Sequence, residues 1–248
     1  MSGTVFYTAG HTDALKFAAK KLQEKGFPFA NTPDKNVTHI LLGVPFTPQQ
    51  GDDSLSKILS QVPKDVTIIG GNLGLPELAD YPAIDLLKDP LYLAQNANIT
   101  AHCAIKQALN RLPVTLDRCP VLVIGWGRIG KCLAALLKQM GAIVTVAARK
   151  ETDRAALESL GYETEDSTNL NYSLIRYRVI FNTVPITALS QDAAEFCHKD
   201  CLKIDLASTL GIEADDVVWA RGLPNKDAPE SSGALIASTI LRLIRQTK

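Results

Sequence analysis

The segment from residue 121 to residue 149 constrains the fold of this chain more than any other stretch. Four apolar residues, Val121–Ile124, predict a short buried strand. The next six, Gly125–Gly130, read GWGRIG and fit the pattern G-x-G-x-x-G. An amphipathic run then predicts a helix, and the β-branched run Ile143–Val146 predicts a second strand. The segment is therefore predicted to form one βαβ unit.

The glycines of this loop are typical of a dinucleotide site. Gly125 would allow a tight turn, Gly127 would let the backbone approach a pyrophosphate, and Gly130 would let the helix pack against the strand. Amide groups at the start of the helix would attract the anion. Arg128 is predicted to pair with the pyrophosphate, which Trp126 would help to cover. The predicted cofactor-binding residues of the loop are Gly125, Trp126, Gly127, Arg128, Ile129 and Gly130.

The end of the second predicted strand favours NADP over NAD. An NAD site usually has an acidic residue roughly 20 positions after the glycine pattern, where it binds the ribose 2′-hydroxyl. This chain has Ala148, Arg149 and Lys150 at that place, and the Arg149 guanidinium suits a 2′-phosphate. We therefore predict that these three residues bind NADP(H). The alternative is that Arg149 and Lys150 are solvated charges at the start of the next helix.

Apolar and amphipathic runs alternate on both sides of this unit, which predicts an α/β fold. We expect two Rossmann-like domains with parallel sheets, linked by long helices near the hinge. The predicted boundaries are residues 1–99 for a substrate-side domain, 100–230 for the NADP-binding domain and 231–248 for a C-terminal helix at the hinge. Residues 100–112 are predicted to form the linking helix, with Thr100 as its N-cap.

Composition limits the partners and the compartment. The 248 residues include 26 basic and 26 acidic side chains, and this balance argues against nucleic acid or an acidic membrane as a partner. We identify no signal-peptide pattern and no apolar run long enough to span a bilayer. The five cysteines form no disulfide framework, so reduced thiols and a cytoplasmic location are expected. Cys197 and Cys201 lack a second cluster, and no metal site is predicted.

Several polar residues are predicted to follow strands at the edge of the sheet where the cofactor would bind. Asn182, Thr183, Val184 and Pro185 follow one such strand and are predicted to contact the cofactor. The candidate catalytic residues are His102 as an acid or base, and Asp205 and Ser208 for substrate orientation and carboxylate binding. The alternatives are a surface or capping histidine, turn-forming Asn182 and Asp205, and a helix-capping Ser208.

These motifs, taken together and in order, resemble the family of the pyridine-nucleotide subunit of dipicolinate synthase over roughly residues 37–245. The resemblance rests on the GWGRIG loop, on the segments Asn-Thr-Val-Pro and Asp-Leu-Ala-Ser, and on Gly-Leu-Pro at Gly222–Pro224. It implies hydride transfer between NADP(H) and a dihydrodipicolinate-type dicarboxylate in sporulation metabolism. It also implies the second, flavoprotein-like subunit of dipicolinate synthase as partner, and the apolar faces of the linking helices are compatible with a homodimer.

Departures from the family pattern keep two other functions open. Glu230 stands where the family usually has lysine, and the arginine expected after Asp-Leu-Ala-Ser is absent. A non-catalytic NADP-binding subunit is therefore one alternative. The other is an enzyme similar to D-2-hydroxyacid dehydrogenases, because Thr183–Thr187 resembles one of their segments. That family needs an arginine where this chain has Ser208 and Thr209, and a histidine later than His198.

Overall fold

A computed structural model describes residues 3–48, 54–170 and 172–246. The chain divides into two compact units, one formed by residues 1–96 and 224–248 and the other by residues 97–223. The outermost residues of the predicted domains, 1–2 and 247–248, lie outside the described ranges. Each unit contains one parallel β-sheet with helices, so the predicted α/β fold with two parallel sheets is confirmed.

The regular elements alternate along most of the chain. The strands are β1 (Phe6–Thr8), β2 (His39–Leu41), β3 (Thr67–Gly70), β4 (Ala83–Asp85), β5 (Pro120–Ile124), β6 (Ile143–Ala148), β7 (Glu163–Asp166), β8 (Val179–Asn182), β9 (Leu202–Asp205) and β10 (Val218–Trp219). The helices are α1 (Asp13–Glu24), α2 (Ser54–Leu59), α3 (Pro90–Leu109), α4 (Arg128–Gln139), α5 (Glu151–Ser159), α6 (Gln191–Ala194), α7 (Leu223–Asp227) and α8 (Pro229–Gln246). Short 3₁₀ turns occur at Pro76–Leu78, Leu86–Lys88 and Tyr172–Arg176.

The first sheet has the order β1-β2-β3-β4, and the second has the order β10-β9-β8-β5-β6-β7. All the strand pairs that join these neighbours are parallel. The strand β5 lies near the middle of the second sheet, and its residues Val121–Ile124 are completely buried. Burial on both faces explains why this strand reads as a continuous apolar run. The chain order changes direction at β5, where doubly wound folds bind ligands.

The long helix α3 begins ten residues earlier than the sequence indicated. Thr100 is therefore an internal, buried residue of this helix, and its prediction as an N-cap was wrong. The true start is Asp89-Pro90: the Asp89 carboxylate accepts a hydrogen bond of 2.7 Å from the Tyr92 amide, and proline is favoured at a first helical position. A hydrogen bond from Arg242 holds the pKa of the Asp89 carboxyl below its usual range.

The C-terminal helix α8 packs closely on α1 within the first unit. A Cβ atom at Gly233 would lie 2.5 Å from the Ala14 carbonyl oxygen and 2.5 Å from the Phe17 Cβ. Only a glycine allows the two helices to approach this closely. The helix covers residues 231–246 of the predicted segment 231–248 and starts two residues before it, at Pro229.

None of the helices in the described ranges has an apolar stretch long enough to cross a membrane.

Candidate functional site

The loop between β5 and α4 has the geometry that its glycines indicate. Gly125 has a φ angle of +106°, which side chains rarely tolerate, and a Cβ there would lie 2.5 Å from the Thr183 hydroxyl oxygen. A Cβ at Gly130 would overlap the carbonyl oxygen of Gly125. By contrast, a Cβ at Gly127 would meet no atom within 4 Å. The first and third glycines are thus required by the protein's own packing, whereas the second leaves space in front of the loop.

The first turn of α4 is open to an anion. Gly127 is the N-cap residue and provides no side-chain hydrogen bond to the amides of the first turn. This turn contains no acidic residue and starts with the exposed Arg128. Backbone amides at a helix start have no intrahelical acceptor, and the helix dipole favours negative charge there. The arrangement can therefore bind a phosphate through the backbone, with Arg128 nearby as a counter-charge.

A cavity of about 300 Å³ opens beside this loop at the carboxyl ends of β5, β6 and β8. It is bounded by three segments: the loop after β5, the end of β6 with the start of α5, and the loop after β8. The lining residues are Ile124, Gly125, Trp126, Ala147, Ala148, Arg149, Lys150, Asp153, Ser167, Val184, Pro185, Ile186, Thr187 and Ala188. Seven of the predicted cofactor-binding residues, including Arg149 and Lys150, are brought together in this lining.

The charges of the lining lie at the end of β6. Arg149 and Lys150 are both exposed, and neither makes an ion pair with another described residue. Asp153 contributes one carboxylate to the lining, so the two cations outnumber it. Arg154 fixes the backbone behind them, because its Nη1 donates to the carbonyl oxygens of Ala148 at 2.8 Å and Arg149 at 3.0 Å. This end of the cavity therefore favours a negatively charged ligand group.

Asn182 and Thr183 support the cavity wall from behind. Asn182 is completely buried: its Nδ2 donates to the Val184 carbonyl at 3.0 Å, and its Oδ1 accepts from the Val184 amide at 3.0 Å. The Thr183 hydroxyl donates to the Ile124 carbonyl at 2.9 Å. Neither side chain is part of the described lining. The two side chains hydrogen-bond to Val184 and Ile124, which are part of it.

Asp205 is a buried anchor for the loop that follows β9. Its Oδ1 accepts from the Ala207 amide at 2.9 Å, and its Oδ2 accepts from the amides of Gly211 at 2.7 Å and Ile212 at 3.0 Å. Asn182 donates to the same Oδ2 at 3.0 Å. With four donors around a carboxylate that is 0% exposed, Asp205 holds this loop in place and has no exposed surface for a substrate.

The other two candidate catalytic residues lie outside the cavity lining. Ser208 is exposed on the loop that Asp205 anchors. His102 is exposed within α3, twelve residues after Pro90, so its predicted place at a helix start was wrong for the same reason as for Thr100.

The Trp126 ring packs against Tyr162 and Lys131. Its centroid is 6.0 Å from that of Tyr162, in an edge-to-face arrangement, and the Lys131 Nζ is 5.6 Å from its centroid. Burial raises the pKa of the Tyr162 phenol. These contacts fix an aromatic side chain at the border of the cavity, where Trp126 was predicted to cover a pyrophosphate.

Five lining residues beyond the ends of β5 and β6 were not predicted as site residues: Asp153, Ser167, Ile186, Thr187 and Ala188. Ser167 was missed because β7, which it follows, was not recognised as a strand. That segment reads Glu-Thr-Glu-Asp and lies at the edge of the sheet, where a strand needs no apolar run. The signal for Asp153 was present in the sequence, because it lies in the first turn of the helix that starts after the β6 end.

Comparisons with known proteins agree with this geometry. Residues 92–195 match the family model described as D-isomer specific 2-hydroxyacid dehydrogenase, NAD binding domain. The match includes the glycine loop, the β6 end and the loop after β8. No curated protein matches the chain significantly. The family match supports a domain that binds a nicotinamide dinucleotide, and with it a pyridine-nucleotide-dependent oxidoreductase.

Solved structures with the same fold include two dipicolinate synthase chains. The one from Bacillus halodurans superposes with a TM-score of 0.82 at 20% identity, covering 97% of both chains. The one from Bacillus subtilis gives 0.79 at 22% identity, covering 99% of this chain and 97% of that one. Salmonella D-lactate dehydrogenase gives 0.62 at 14% identity, covering 99% and 97%. At these identities the likeness establishes the fold.

Proposed function

We propose that this protein is an NADP(H)-dependent oxidoreductase that acts on a dihydrodipicolinate-type dicarboxylate. The observation that carries the cofactor choice is the pair of exposed cations, Arg149 and Lys150, at the end of β6 in the cavity lining. A 2′-phosphate placed there would gain charge-assisted hydrogen bonds. The ribose 2′-hydroxyl of NAD would lack the acidic partner that usually binds it at this strand end.

The remaining cofactor contacts follow from the loop. The open first turn of α4 would bind the pyrophosphate through backbone amides, with Arg128 beside it. The bound nucleotide would supply the hydride chemistry, and the protein's part is to hold and orient it. In this proposal Asn182 and Thr183 act through the backbone groups that they position. Asp205 positions the loop that carries Ser208.

The substrate class rests on the resemblance of the motifs and on the shared fold along nearly the whole chain. We propose His102 and Ser208 as the groups that meet the substrate, since both are exposed in the unit that holds the cofactor loop. The second dipicolinate synthase subunit as partner, a homodimer and a role in sporulation belong to the same proposal. The second candidate function is oxidation or reduction of a D-2-hydroxy acid, which the family match over residues 92–195 favours.

Calorimetric binding of NADPH and NADH tests the cofactor choice. We expect the wild type to bind NADPH at least about tenfold more tightly, which corresponds to about 1.4 kcal/mol. Arg149→Ala should remove most of this preference while leaving NADH binding nearly unchanged, because the guanidinium would contact only the 2′-phosphate. Arg111→Ala is the matched control, since Arg111 is an exposed arginine whose side chain bonds to Gln107, away from the cavity lining.

Five outcomes would contradict the proposal in different ways. Tighter binding of NADH, or an equal loss for both nucleotides in Arg149→Ala, would refute the NADP assignment. No binding of either nucleotide would refute the oxidoreductase itself. Turnover of D-lactate but not of a dihydrodipicolinate, measured with and without the second synthase subunit, would favour the second candidate. Tight binding with no turnover of either substrate would indicate a non-catalytic NADP-binding protein.

A further inference from the structure

A second cavity, of about 410 Å³, lies at the edge of the second sheet opposite to the cavity described above. It is lined by the chain before β5, the chain before β8 and the turn before β9, all within the second unit. These strands are parallel, so their amino ends meet at this edge. None of the described residues lines both cavities. A molecule bound here would therefore not contact the lining of the cofactor cavity.

The lining of this second cavity is rich in guanidinium groups. Arg118, Arg176 and Arg178 contribute three, and His198 adds an imidazole. Among the described lining residues, Asp117 is the one that carries a carboxylate. A guanidinium presents a planar fork of N–H donors that matches the oxygens of a phosphate or a carboxylate. The lining therefore favours an anion.

Two of the three arginines are available to a ligand. The Arg176 Nη2 lies 2.7 Å from the Glu165 Oε1, so this cation is already neutralised. The exposed Arg118 makes no ion pair with another described residue. The Arg178 Nη1 is 3.4 Å from the Asp200 Oδ2, but the Asp200 side chain is 54% exposed, and such a pair contributes little. An anion can replace Asp200 as the partner of Arg178.

The backbone of Arg118 is strained. Its φ angle is +55°, in the left-handed region that glycine adopts freely and other residues rarely adopt. The turn is fixed on both sides, because the Arg118 amide donates to the Gly141 carbonyl at 2.8 Å and the Cys119 amide donates to the Leu116 carbonyl at 3.0 Å. An arginine at this position costs conformational energy, and residues with strained backbones cluster at functional sites. The strain and the unpaired charge thus occur at the same residue.

The other two candidate contacts are held by the ends of the strands. The Arg178 amide donates to the Pro120 carbonyl at 2.9 Å, and the Arg178 carbonyl accepts from the Leu202 amide at 3.0 Å. The His198 Nδ1 accepts from the Asp200 amide at 3.1 Å, which places the proton of the neutral ring on Nε2. The ring can therefore donate a hydrogen bond from Nε2 to an anion without being protonated.

We propose that this cavity binds a small anion that carries at least two phosphate or carboxylate groups, with Arg118 and Arg178 as its main cationic contacts and His198 as a neutral donor. A singly charged anion would gain little over the Asp200 carboxylate that Arg178 already faces. An anion with two charged groups can also engage Arg118, and each contact is a charge-assisted hydrogen bond. The Asp117 carboxylate opposes binding, so Asp117→Asn should tighten it.

Calorimetry on the full chain tests this proposal with inorganic pyrophosphate and with succinate, at one ionic strength set by sodium chloride. We expect Arg118→Gln and Arg178→Gln each to weaken binding of at least one of these anions about tenfold. The anion that binds distinguishes a phosphate ligand from a carboxylate ligand. Arg221→Gln is the matched control, because Arg221 is exposed in the same unit and lies over the Trp219 ring, outside this lining.

Pyrophosphate could also bind at the loop after β5, so the place of binding is measured separately. Phenylglyoxal modifies exposed arginines, and peptide mapping of the wild type gives the rate at each one. We expect a bound anion to slow the modification of Arg118 and Arg178 about fivefold, and that of Arg221 not at all. Protection of Arg128 alone would place the anion at the cofactor loop and would overturn the proposal for this cavity.

The variant Arg118→Gly separates a binding role from a structural one. Glycine adopts the left-handed conformation freely, so the melting temperature should stay the same or rise while anion binding is lost. A lower melting temperature would contradict the proposal, since it would show that the arginine stabilises the fold. Unprotected Arg118 and Arg178 in the wild type would overturn it even if a variant fails to fold. NADPH affinity should not change in Arg118→Gln, so the outcome is independent of the proposed function.

Discussion

The two units both use a strand, a glycine-containing loop and a helix, but the helices begin differently. In the first unit, the Thr12 side chain caps α1 by accepting a hydrogen bond from the Leu15 amide at 3.3 Å. Asp13 then places a carboxylate in the first turn. The positive end of this helix is thus neutralised by the protein's own groups.

The start of α4 in the second unit has neither of these groups. Gly127 leaves the first-turn amides without a side-chain cap, and no carboxylate lies in that turn. Two parallel sheets with similar connections therefore differ at the start of one helix each. The uncapped start of α4 provides the free amides that the proposed phosphate site requires, whereas the capped start of α1 does not.

We expect the largest loss of stability from a substitution at Gly130, the third glycine of the loop after β5. In Gly130→Ala the new Cβ would overlap the Gly125 carbonyl oxygen, a backbone atom that cannot move without shifting β5. We expect the second unit to lose about 3 kcal/mol or more of its unfolding free energy. Urea unfolding followed by tryptophan fluorescence measures this unit selectively, because both tryptophans, Trp126 and Trp219, lie within it.

At Gly127, the second glycine of the loop, we expect a substitution to lower nucleotide affinity without unfolding the protein. In Gly127→Ala the new Cβ meets no protein atom within 4 Å, so the fold should be kept. The methyl group would occupy the space proposed for the pyrophosphate, and we expect nucleotide affinity to fall about 100-fold, or about 2.7 kcal/mol. Calorimetry with NADPH measures the change.

Gly74→Ala is the matched control for this variant, since Gly74 has the same free space in the first unit. It should leave nucleotide affinity unchanged. Unaltered NADPH binding by Gly127→Ala would contradict the proposed phosphate site at α4, because the space in front of Gly127 would then have no role in anion binding.

The sequence predicted local features of the site well and long-range ones poorly. The β5–α4–β6 unit and the charged end of β6 were readable because each depends on neighbours in the chain. The role of Asp205 was not readable, since its donors include Asn182, Gly211 and Ile212, and only the folded sheet brings them to one carboxylate. The start of α3 was misplaced although Asp89-Pro90 is a local signal, because Thr100 offered a competing cap.

The smallest expected loss of stability follows from removing the N-cap of α1 in the first unit. Thr12→Ala removes the side-chain acceptor for the Leu15 amide, which should destabilise α1 by about 1 kcal/mol. Tryptophan fluorescence does not report on this unit, so amide hydrogen exchange is the suitable measurement. Amides in the first turns of α1 should exchange about fivefold faster wherever local opening controls their exchange.

Thr12→Asn is the matched variant, because asparagine is an equally good N-cap and should restore slow exchange. NADPH affinity should remain that of the wild type in both variants. Tighter nucleotide binding by Thr12→Ala would contradict the comparison, since it would mean that uncapping is enough to create an anion site. With the Asp13 carboxylate still in the first turn of α1, removal of the cap alone should not do this.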